Sequence, residues 1–146
     1  MADELPDDFI EKIRAAVKRV SPEKFLLGEV WEDATTKYGF GQRRTYLLGK
    51  GLDSVMNYPF KNAVLDFVKG KPAEQAMGEI LSICEHYPAP AMDTALNFLS
   101  THDTERALTV IADEPANGRG REWQSGRCVT GEAYEEGMLR LRMAYA

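Results

Sequence analysis

The sequence has few of the residues that build metal sites and disulfide-rich domains. Among its 146 residues are two cysteines, Cys84 and Cys128, and two histidines, His86 and His102. Two cysteines without metal-ligand spacing exclude a disulfide framework and a zinc-finger site, so we expect both thiols to be reduced. Two histidines also exclude a histidine-rich zinc site, although carboxylates would still suit a calcium ion.

Long apolar runs and dense positive charge are also absent. No stretch approaches the roughly 18 to 20 apolar residues that cross a bilayer, and the acidic start Met1–Leu5 differs from the basic start of a signal peptide. The chain has 18 Lys and Arg against 23 Asp and Glu, a formal net charge of -5, and its longest basic cluster is Arg43-Arg44. We therefore expect a cytoplasmic protein that binds neither a membrane nor nucleic acid.

What remains is an ordinary globular composition. Hydrophobic residues make up 44% of the chain and charged residues 28%, which predicts one folded domain over residues 1–146. A complete eight-stranded (β/α) barrel needs about 200 to 250 residues. The chain therefore has room for only part of such a barrel.

Helical and strand patterns alternate along the chain. Apolar residues at helical spacing predict helices over residues 6–20, 60–68, 73–86 and 131–146, with one more ending at residue 111. Apolar runs typical of strands buried on both faces predict the strands Phe25–Gly28, Ser54–Tyr58 and Leu96–Ser100. The glycine-rich stretch 34–52 predicts a loop with a short helix, and the stretch 113–130 a long loop. This order predicts an α/β fold with parallel strands and crossover helices.

Side chains able to do chemistry follow each of the three predicted strands. They are Glu29 with Trp31, Asn57 with Tyr58, and His102 with Asp103. In parallel sheets and barrels, functional groups collect at the carboxyl ends of the strands, and the ends of the first and third strands lie about 10 Å apart. Two carboxylates, a histidine and aromatic rings facing one cleft suit cleavage of a glycosidic bond. One carboxyl protonates the leaving oxygen, and the other stabilises the oxocarbenium charge.

Structural roles would account for the same residues. A glutamate after a strand is more often a solvated or ion-paired surface residue, which is the alternative for Glu29. Asp103 would equally serve as a helix cap that accepts backbone N–H groups. Trp31, Asn57 and Tyr58 would equally serve in packing.

Three segments closely resemble successive segments of a known family. FLLGEVW at 25–31, LDSVMNYPF at 52–60 and NFLSTHD at 97–103 resemble the α-amylase family of glycoside hydrolases, nearest to its cyclomaltodextrinase, neopullulanase and maltogenic amylase branch. The order, the spacing and the intervening helices agree over nearly the whole chain, and the resemblance weakens across 113–130. It implies a partial (β/α) TIM barrel of about three parallel strands with flanking helices, running from the fifth strand to the seventh helix.

The resemblance implies two catalytic carboxylates. Glu29 matches the family's general acid/base at the end of the fifth strand. Asp103 matches the third carboxylate, after the seventh strand, which stabilises the transition state. The remaining matches imply substrate binding: His102 matches a histidine that holds the same sugar, and Trp31 matches an aromatic residue that shapes the acceptor side of the cleft. Asn57 and Tyr58 match a substrate-binding segment whose role in the family is less uniform.

By resemblance, the parent would be a retaining hydrolase of α-1,4 or α-1,6 bonds in maltooligosaccharides, starch or cyclodextrins. No cofactor is expected for this chain, and a structural calcium ion would belong to the longer parent. The family's nucleophile is an aspartate in an Arg, any residue, Asp motif, and Met1–Glu4 resembles the tail of that motif. We therefore expect the nucleophile to be missing and the chain to be inactive alone. A truncated barrel exposes two sheet edges, which predicts self-association.

Two other interpretations remain open. One is a stand-alone, non-catalytic α/β module that binds a glucan or another partner and only retains the motifs. The other is a piece of a glucan transglycosylase or branching enzyme, because such enzymes share the three motifs. The choice between hydrolysis and transfer depends on water access and acceptor sites, which segments outside this chain would largely build.

Overall fold

The structure is a computed structural model that describes residues 1–112 and 118–146. Most of the secondary structure is helical, and the strands are short. The elements in chain order are a 3₁₀ turn (Ala2–Glu4), α1 (Asp7–Val20), β1 (Leu27–Gly28), β2 (Tyr38–Gly39), β3 (Gln42–Arg43), β4 (Ser54–Val55), α2 (Tyr58–Val68), α3 (Ala73–His86), α4 (Ala89–Met92), α5 (Ala107–Ala112), α6 (Arg121–Ser125) and α7 (Gly131–Tyr145). None of the helices in these two ranges is long and apolar enough to cross a membrane.

The described residues form two compact units. The first unit comprises Met1–Phe60 and Gly78–Asn97, and the second comprises Lys61–Met77 and Phe98–Ala146. Each unit has its own buried apolar cluster. Val30, Tyr46 and Val55 are among the most buried side chains of the first.

The parallel sheet lies in the first unit and confirms the predicted α/β class. β1 pairs in parallel with β4, so that Leu27 lies opposite Ser54, and one isolated parallel bridge joins Met56 to Leu96. The predicted third strand, Leu96–Ser100, is therefore reduced to a single bridge. The segment that pairs with Leu96 leaves the sheet after Met56, because α2 begins at Tyr58.

Helix α1 follows the predicted pattern closely. Pro6 precedes it, acidic residues occupy its first turn and basic residues its last, as the helix dipole favours. Asp53, just before β4, accepts hydrogen bonds from Arg14 (2.6 Å) and from the Leu26 backbone N–H (2.8 Å), and it pairs with Lys18 at 2.9 Å. This one carboxylate therefore ties α1 to the strands.

The glycine-rich stretch 34–52 contains a hairpin where a short helix was predicted, and that prediction is wrong. β2 and β3 pair antiparallel, with Tyr38 opposite Arg43 and Gly39 opposite Gln42. The two turn residues have positive φ, 52° at Phe40 and 78° at Gly41. Positive φ at both central residues is the geometry of a tight two-residue hairpin and is incompatible with a helix.

The boundary between β4 and α2 also differs from the prediction. Tyr58 was predicted to end a strand at Pro59, but it is the first residue of α2. Pro59 lies in the first turn of that helix, where its missing N–H costs no intrahelical hydrogen bond. The backbone of Tyr58 is therefore helical, and the start of α2 sets the direction of its side chain.

Helices dominate the second unit. The predicted helix 73–86 corresponds to α3, which crosses from this unit into the first, and the predicted final helix corresponds to α7. A side chain at Gly137 would put its Cβ 2.4 Å from Ala112 Cβ, so the glycine lets α7 approach α5. The short helices α4 and α6 were not predicted, and α6 lies within the stretch predicted to be a loop. Residues 113–117 of that predicted loop lie outside the described residues.

Candidate active site

Glu29 lies immediately beyond β1, at the carboxyl end of the parallel pair. The backbone around it is held on both sides: the Met56 N–H donates to Gly28 O (2.9 Å), and the Ala2 N–H donates to Glu29 O (2.8 Å). Its side chain is 23% exposed, and the amino nitrogen of Met1 lies 3.7 Å from Oε2. Glu29 is thus a partly buried carboxylate on a restrained backbone, which is suitable for proton transfer.

Two aromatic side chains hold the Glu29 carboxylate. Trp31 Nε1–H and the Tyr58 hydroxyl both donate to Glu29 Oε1, at 3.0 and 3.2 Å. The two rings stack on each other, with centroids 5.0 Å apart and planes inclined by 14°. Tyr58 is buried, whereas Trp31 is exposed. The cluster therefore presents one carboxylate beside one accessible aromatic face, the kind of surface on which a pyranose ring stacks.

Asn57 is also close to this cluster in the chain, but its side chain points into the protein. It is 0% exposed. Its Nδ2–H donates to Asn97 Oδ1 (3.0 Å), and its Oδ1 accepts the Phe60 backbone N–H (3.3 Å). The backbone N–H of Asn57 donates to Leu96 O (2.9 Å). Asn57 thus joins the strand end to the start of α2, and it offers no surface to a ligand in this structure.

His102 and Asp103 lie together in the second unit. His102 Nε2 is 3.0 Å from Asp103 Oδ2, and Arg121 approaches Asp103 Oδ1 at 3.6 Å. The His102 side chain is 81% exposed. Asp103 is not at the start of a helix, because α5 begins at Ala107, so the structure does not support the capping alternative. The Thr101–Thr104 turn places both side chains at a cavity of about 350 Å³.

The structure thus sorts the six predicted site residues into groups. Glu29, Trp31 and Tyr58 contact one another in the first unit. Asn57 lies in the same unit but is committed to packing contacts, whereas His102 and Asp103 form a separate pair in the second unit.

The cavity beside Asp103 also contains residues that the sequence did not single out. Arg121 and Trp123 line it. The guanidinium carbons of Arg119 and Arg127 lie 3.7 and 4.8 Å from the centroid of the Trp123 ring. In the sequence, the feature that could have pointed to this cavity is Trp123, a lone aromatic residue among the arginines that follow residue 118. Within the described ranges, no three His, Cys, Asp or Glu side chains are grouped as metal ligands.

A buried arginine near Glu29 was missed altogether. Arg44 follows β3, and its side chain is only 2% exposed. It donates to Asp7 Oδ1 at 2.6 Å, and its Cζ lies 4.5 Å from the centroid of the Tyr46 ring. Burial alone would raise the pKa of Asp7, but hydrogen bonds from Thr45 and Arg44 outweigh it and hold that pKa below its ordinary value. In the sequence this arginine is indistinguishable from its exposed neighbour Arg43.

The loop after Trp31 carries another polar contact. His86 Nδ1 lies 2.7 Å from Asp33 Oδ2, and Asp33 Oδ1 accepts the Thr35 backbone N–H and hydroxyl at 2.8 and 2.6 Å. Burial alone would raise the pKa of Asp33, but hydrogen bonds from Thr35 and His86 together lower it. Asp33 is therefore an ionised anchor for this loop.

Comparison with known proteins identifies the family. The model of the alpha amylase catalytic domain matches residues 4–125. The chain is 36% identical over 135 residues to an amylopullulanase of Thermoanaerobacter thermohydrosulfuricus, covering 82% of this chain and 8% of the relative. It is 34% identical over 116 residues to a cyclomaltodextrinase of Geobacillus thermopakistaniensis, covering 78% of this chain and 18% of the relative. The chain thus spans less than a fifth of the length of these two relatives.

Solved structures agree with the sequence matches. A cyclomaltodextrinase superposes with a TM-score of 0.66 at 36% identity, covering 77% of this chain and 18% of that one. A cyclic alpha-maltosyl-(1→6)-maltose hydrolase from Arthrobacter globiformis superposes with a TM-score of 0.65 at 28% identity, both ligand-free and in complex with maltose, covering 74% of this chain and 23% of that one. These neighbours confirm the predicted partial TIM barrel. The chain belongs to the alpha-amylase family of glycoside hydrolases, and it matches their catalytic domain.

Proposed function

We propose that residues 1–146 form a piece of one catalytic barrel that supplies the acid/base half of a retaining α-glucan hydrolase. The observation that carries this proposal is the Glu29 cluster, in which a carboxylate at the end of a parallel strand accepts hydrogen bonds from Trp31 and Tyr58. The similar proteins support the substrate class, because they are named as cyclomaltodextrinase, amylopullulanase and a hydrolase solved with maltose.

In the proposed mechanism Glu29 acts twice. It first donates its proton to the glycosidic oxygen while the bond from that oxygen to C1 breaks and an aspartate nucleophile bonds to C1. It then takes a proton from the water whose oxygen attacks C1, and this attack releases the aspartate. Trp31 and Tyr58 donate to Oε1, and the amino nitrogen of Met1 lies 3.7 Å from Oε2, so both carboxylate oxygens have polar neighbours that orient the group.

Asp103 and His102 would act on the sugar that becomes the oxocarbenium ion. An ionised Asp103 would accept hydrogen bonds from the sugar hydroxyls and stabilise the positive charge of the transition state. His102, with its imidazole beside Asp103, would bind the same sugar. The exposed ring of Trp31 would contact the sugar on the acceptor side of the cleft. The buried Tyr58 would orient Glu29 through its hydrogen bond to Oε1. Asn57 would act on substrate binding only indirectly. It accepts the Phe60 backbone N–H and so holds the start of α2, from which Tyr58 contacts Glu29.

This chain has no residue that matches the family's nucleophilic aspartate. None of its arginines is followed two positions later by an aspartate. The side chains of Asp3 and Asp33 are engaged in other contacts: Asp3 accepts the Tyr46 hydroxyl at 3.0 Å, and Asp33 is hydrogen-bonded to Thr35 and His86. We therefore expect the 146-residue chain to bind a short α-glucan without hydrolysing it.

Calorimetric titration with maltotriose and a reducing-sugar assay test this proposal together. We expect binding by the wild-type chain, about tenfold weaker binding by Trp31→Ala, and no sugar release. Tyr38→Ala is the matched control, because Tyr38 is an exposed aromatic residue on β2 outside the Glu29 cluster. Equal loss in both variants, or no binding by the wild-type chain, would contradict the proposed site. Sugar release that disappears in Glu29→Gln would show that another carboxylate, such as Asp3 or Asp33, is the nucleophile.

A further inference from the structure

The backbone at Glu29 depends on a segment that has little structure of its own. β1 ends at Gly28, and the Ala2 N–H donates to Glu29 O at 2.8 Å. Residues 2–7, which we call the N-terminal segment, contain a three-residue 3₁₀ turn (Ala2–Glu4) and end at Asp7, the first residue of α1. Such a turn is too short to fix its own position. Something else must hold the segment against Glu29.

The Arg44 side chain does this with all three of its guanidinium nitrogens. Its Nη1 donates to Asp3 O at 3.1 Å, and its Nη2 donates to Leu5 O at 2.6 Å and Ala2 O at 3.4 Å. Its Nε donates to Asp7 Oδ1 at 2.6 Å. A single buried side chain thus binds three backbone carbonyls and one carboxylate of the N-terminal segment.

Neighbours of Arg44 reinforce the same contact. Asp7 Oδ2 accepts the Thr45 backbone N–H and hydroxyl at 2.6 and 2.9 Å. The Tyr46 hydroxyl donates to Asp3 Oδ1 at 3.0 Å, and Lys37 Nζ lies 3.0 Å from Asp3 Oδ2. These donors come from the 37–46 region, which follows Glu29 and Trp31 in the chain. Residues 37–46, which follow β1 and Glu29 in the chain, therefore hold the N-terminal segment in contact with Glu29.

The chemistry of this contact requires arginine. A guanidinium offers five N–H donors in a fixed plane and stays charged when buried, whereas an ammonium group is a compact point donor that buries at high cost. Buried ion pairs contribute little net stability compared with apolar packing, but in some proteins they select one arrangement of the chain. At Arg44 the arrangement selected is the position of the N-terminal segment.

We infer that Arg44 is a positioning residue for Glu29: it holds residues 2–5 in place, and Ala2 in turn holds the Glu29 backbone. This inference rests on the proposed role of Glu29 in catalysis. It assigns Arg44 no contact with substrate. It predicts that loss of the guanidinium fork loosens the Glu29 region before it loosens the rest of the first unit.

Two substitutions and a control separate this role from general stability. Arg44→Met removes the donors but keeps an apolar stem, and Arg44→Lys keeps the charge without the fork. Ile83→Ala is the control, because it creates a cavity in the buried cluster of the same unit and makes no hydrogen bond with the N-terminal segment. Hydrogen exchange by mass spectrometry compares a peptide covering residues 27–33 with one covering residues 78–86, the part of α3 that belongs to the first unit.

We expect Arg44→Met and Arg44→Lys to speed exchange in residues 27–33 about tenfold more than they speed exchange in residues 78–86, because the local opening adds to any loss of global stability. Ile83→Ala should speed exchange in residues 78–86 at least as much as in residues 27–33. Maltotriose binding should weaken about tenfold in both Arg44 variants and stay unchanged in Ile83→Ala under conditions where all are folded.

The inference is overturned if exchange in residues 27–33 rises no more than in residues 78–86, or if Arg44→Lys behaves as the wild type. Failure of the proposed function looks different. In that case the wild-type chain does not bind maltotriose, and the exchange comparison alone decides whether Arg44 positions Glu29.

Discussion

Glu29 in the first unit and Asp103 in the second, the two proposed catalytic carboxylates, are held to very different degrees. Glu29 lies at the end of a paired strand, and its Oε1 accepts two hydrogen bonds from stacked aromatic side chains. Asp103 lies in a turn, paired with a histidine that is 81% exposed and with Arg121 at 3.6 Å. The sequence motifs around the two residues are equally clear. The difference teaches that a motif specifies residue types and order, whereas preorganisation depends on what packs around them.

A physical reason underlies this contrast. The Glu29 region is supported by buried groups, among them Arg44, Asp7 and Tyr46. A charge at such a position cannot be solvated if its partner is lost, so its geometry is strongly specified. Around Asp103, water can replace any partner, and the geometry is correspondingly less constrained.

The largest expected effect is the loss of Asp7. Asp7→Ala should lower the free energy of unfolding by about 3–5 kcal/mol, because it leaves the Arg44 guanidinium buried without its counter-ion. Urea denaturation at neutral pH measures this. Asp103→Ala is the counterpart in the second unit and should change the same quantity by less than about 0.5 kcal/mol. Similar losses in the two variants would remove the contrast between the regions.

The second prediction concerns pH. Asp7, Asp33 and Asp53 have pKa values below the ordinary range: burial alone would raise each one, but hydrogen bonds and nearby cationic side chains outweigh it. Because their folded pKa values lie below the unfolded ones, the stability they contribute is present above about pH 4 and is lost as the pH falls through the folded values. Urea unfolding between pH 6 and pH 3 should show this loss.

Asp7→Asn sharpens the pH prediction. Its amide does not titrate, so the stability of this variant should fall less steeply between pH 4 and pH 3 than that of the wild type. Parallel curves for the two proteins would mean that Asp7 does not contribute to the acid sensitivity.

The third prediction tests the hydrogen bonds at Glu29. Tyr58→Phe removes the hydroxyl that donates to Oε1, and it should lower the free energy of unfolding by about 1–2 kcal/mol because the acceptor is a partly buried carboxylate. His102→Ala removes the matching partner of Asp103 and should cost less than about 0.5 kcal/mol. A larger cost for His102→Ala would reverse the ranking of the two regions.

The fourth prediction concerns self-association, and it has the smallest expected effect on the free energy of unfolding. Leu96 lies at the single bridge beyond β4, and it is 44% exposed, while Phe25, two residues before β1, is 50% exposed. Exposed apolar side chains beside a short, incompletely covered sheet favour association. Size-exclusion chromatography should show self-association of the wild-type chain. Leu96→Lys should shift elution toward the monomer volume while changing the free energy of unfolding by less than about 0.5 kcal/mol. Elution of the wild type as a monomer would contradict the prediction.

Much of the helical structure could be predicted because its causes are local. α1 has a proline before its first residue, acidic and basic residues at the appropriate ends and Ile10 on its buried face. The predicted bounds of α3 match the structure at both ends. The hairpin at β2 and β3 could not be predicted in this way, because four glycines in 34–52 permit many backbone paths and the chosen one depends on Arg44 and Lys37 contacting the N-terminal segment.

The proposed site residues likewise include features that the sequence predicts and features that it does not. The order of Glu29, Asn57 and Asp103 along the chain, each placed after an apolar run, was apparent from the sequence. The hydrogen bonds of Trp31 and Tyr58 to one oxygen of Glu29 were not, because Tyr58 reaches it only from the first turn of α2. The burial of Asn57 was also unpredictable, since its partner Asn97 is 40 residues away in the chain.

By itself, the sequence determined the family of this protein, the alternation of helices with apolar strands, and the residue types offered to a substrate. These follow from local periodicity and from three segments whose residues match in order. Only the tertiary structure decided which of those residues meet, that Arg44 is buried while Arg43 is exposed, and that Glu29 is better supported than Asp103. The physical reason is that burial and hydrogen-bond partnership arise from residues distant in the chain, and such contacts leave no local pattern in the sequence.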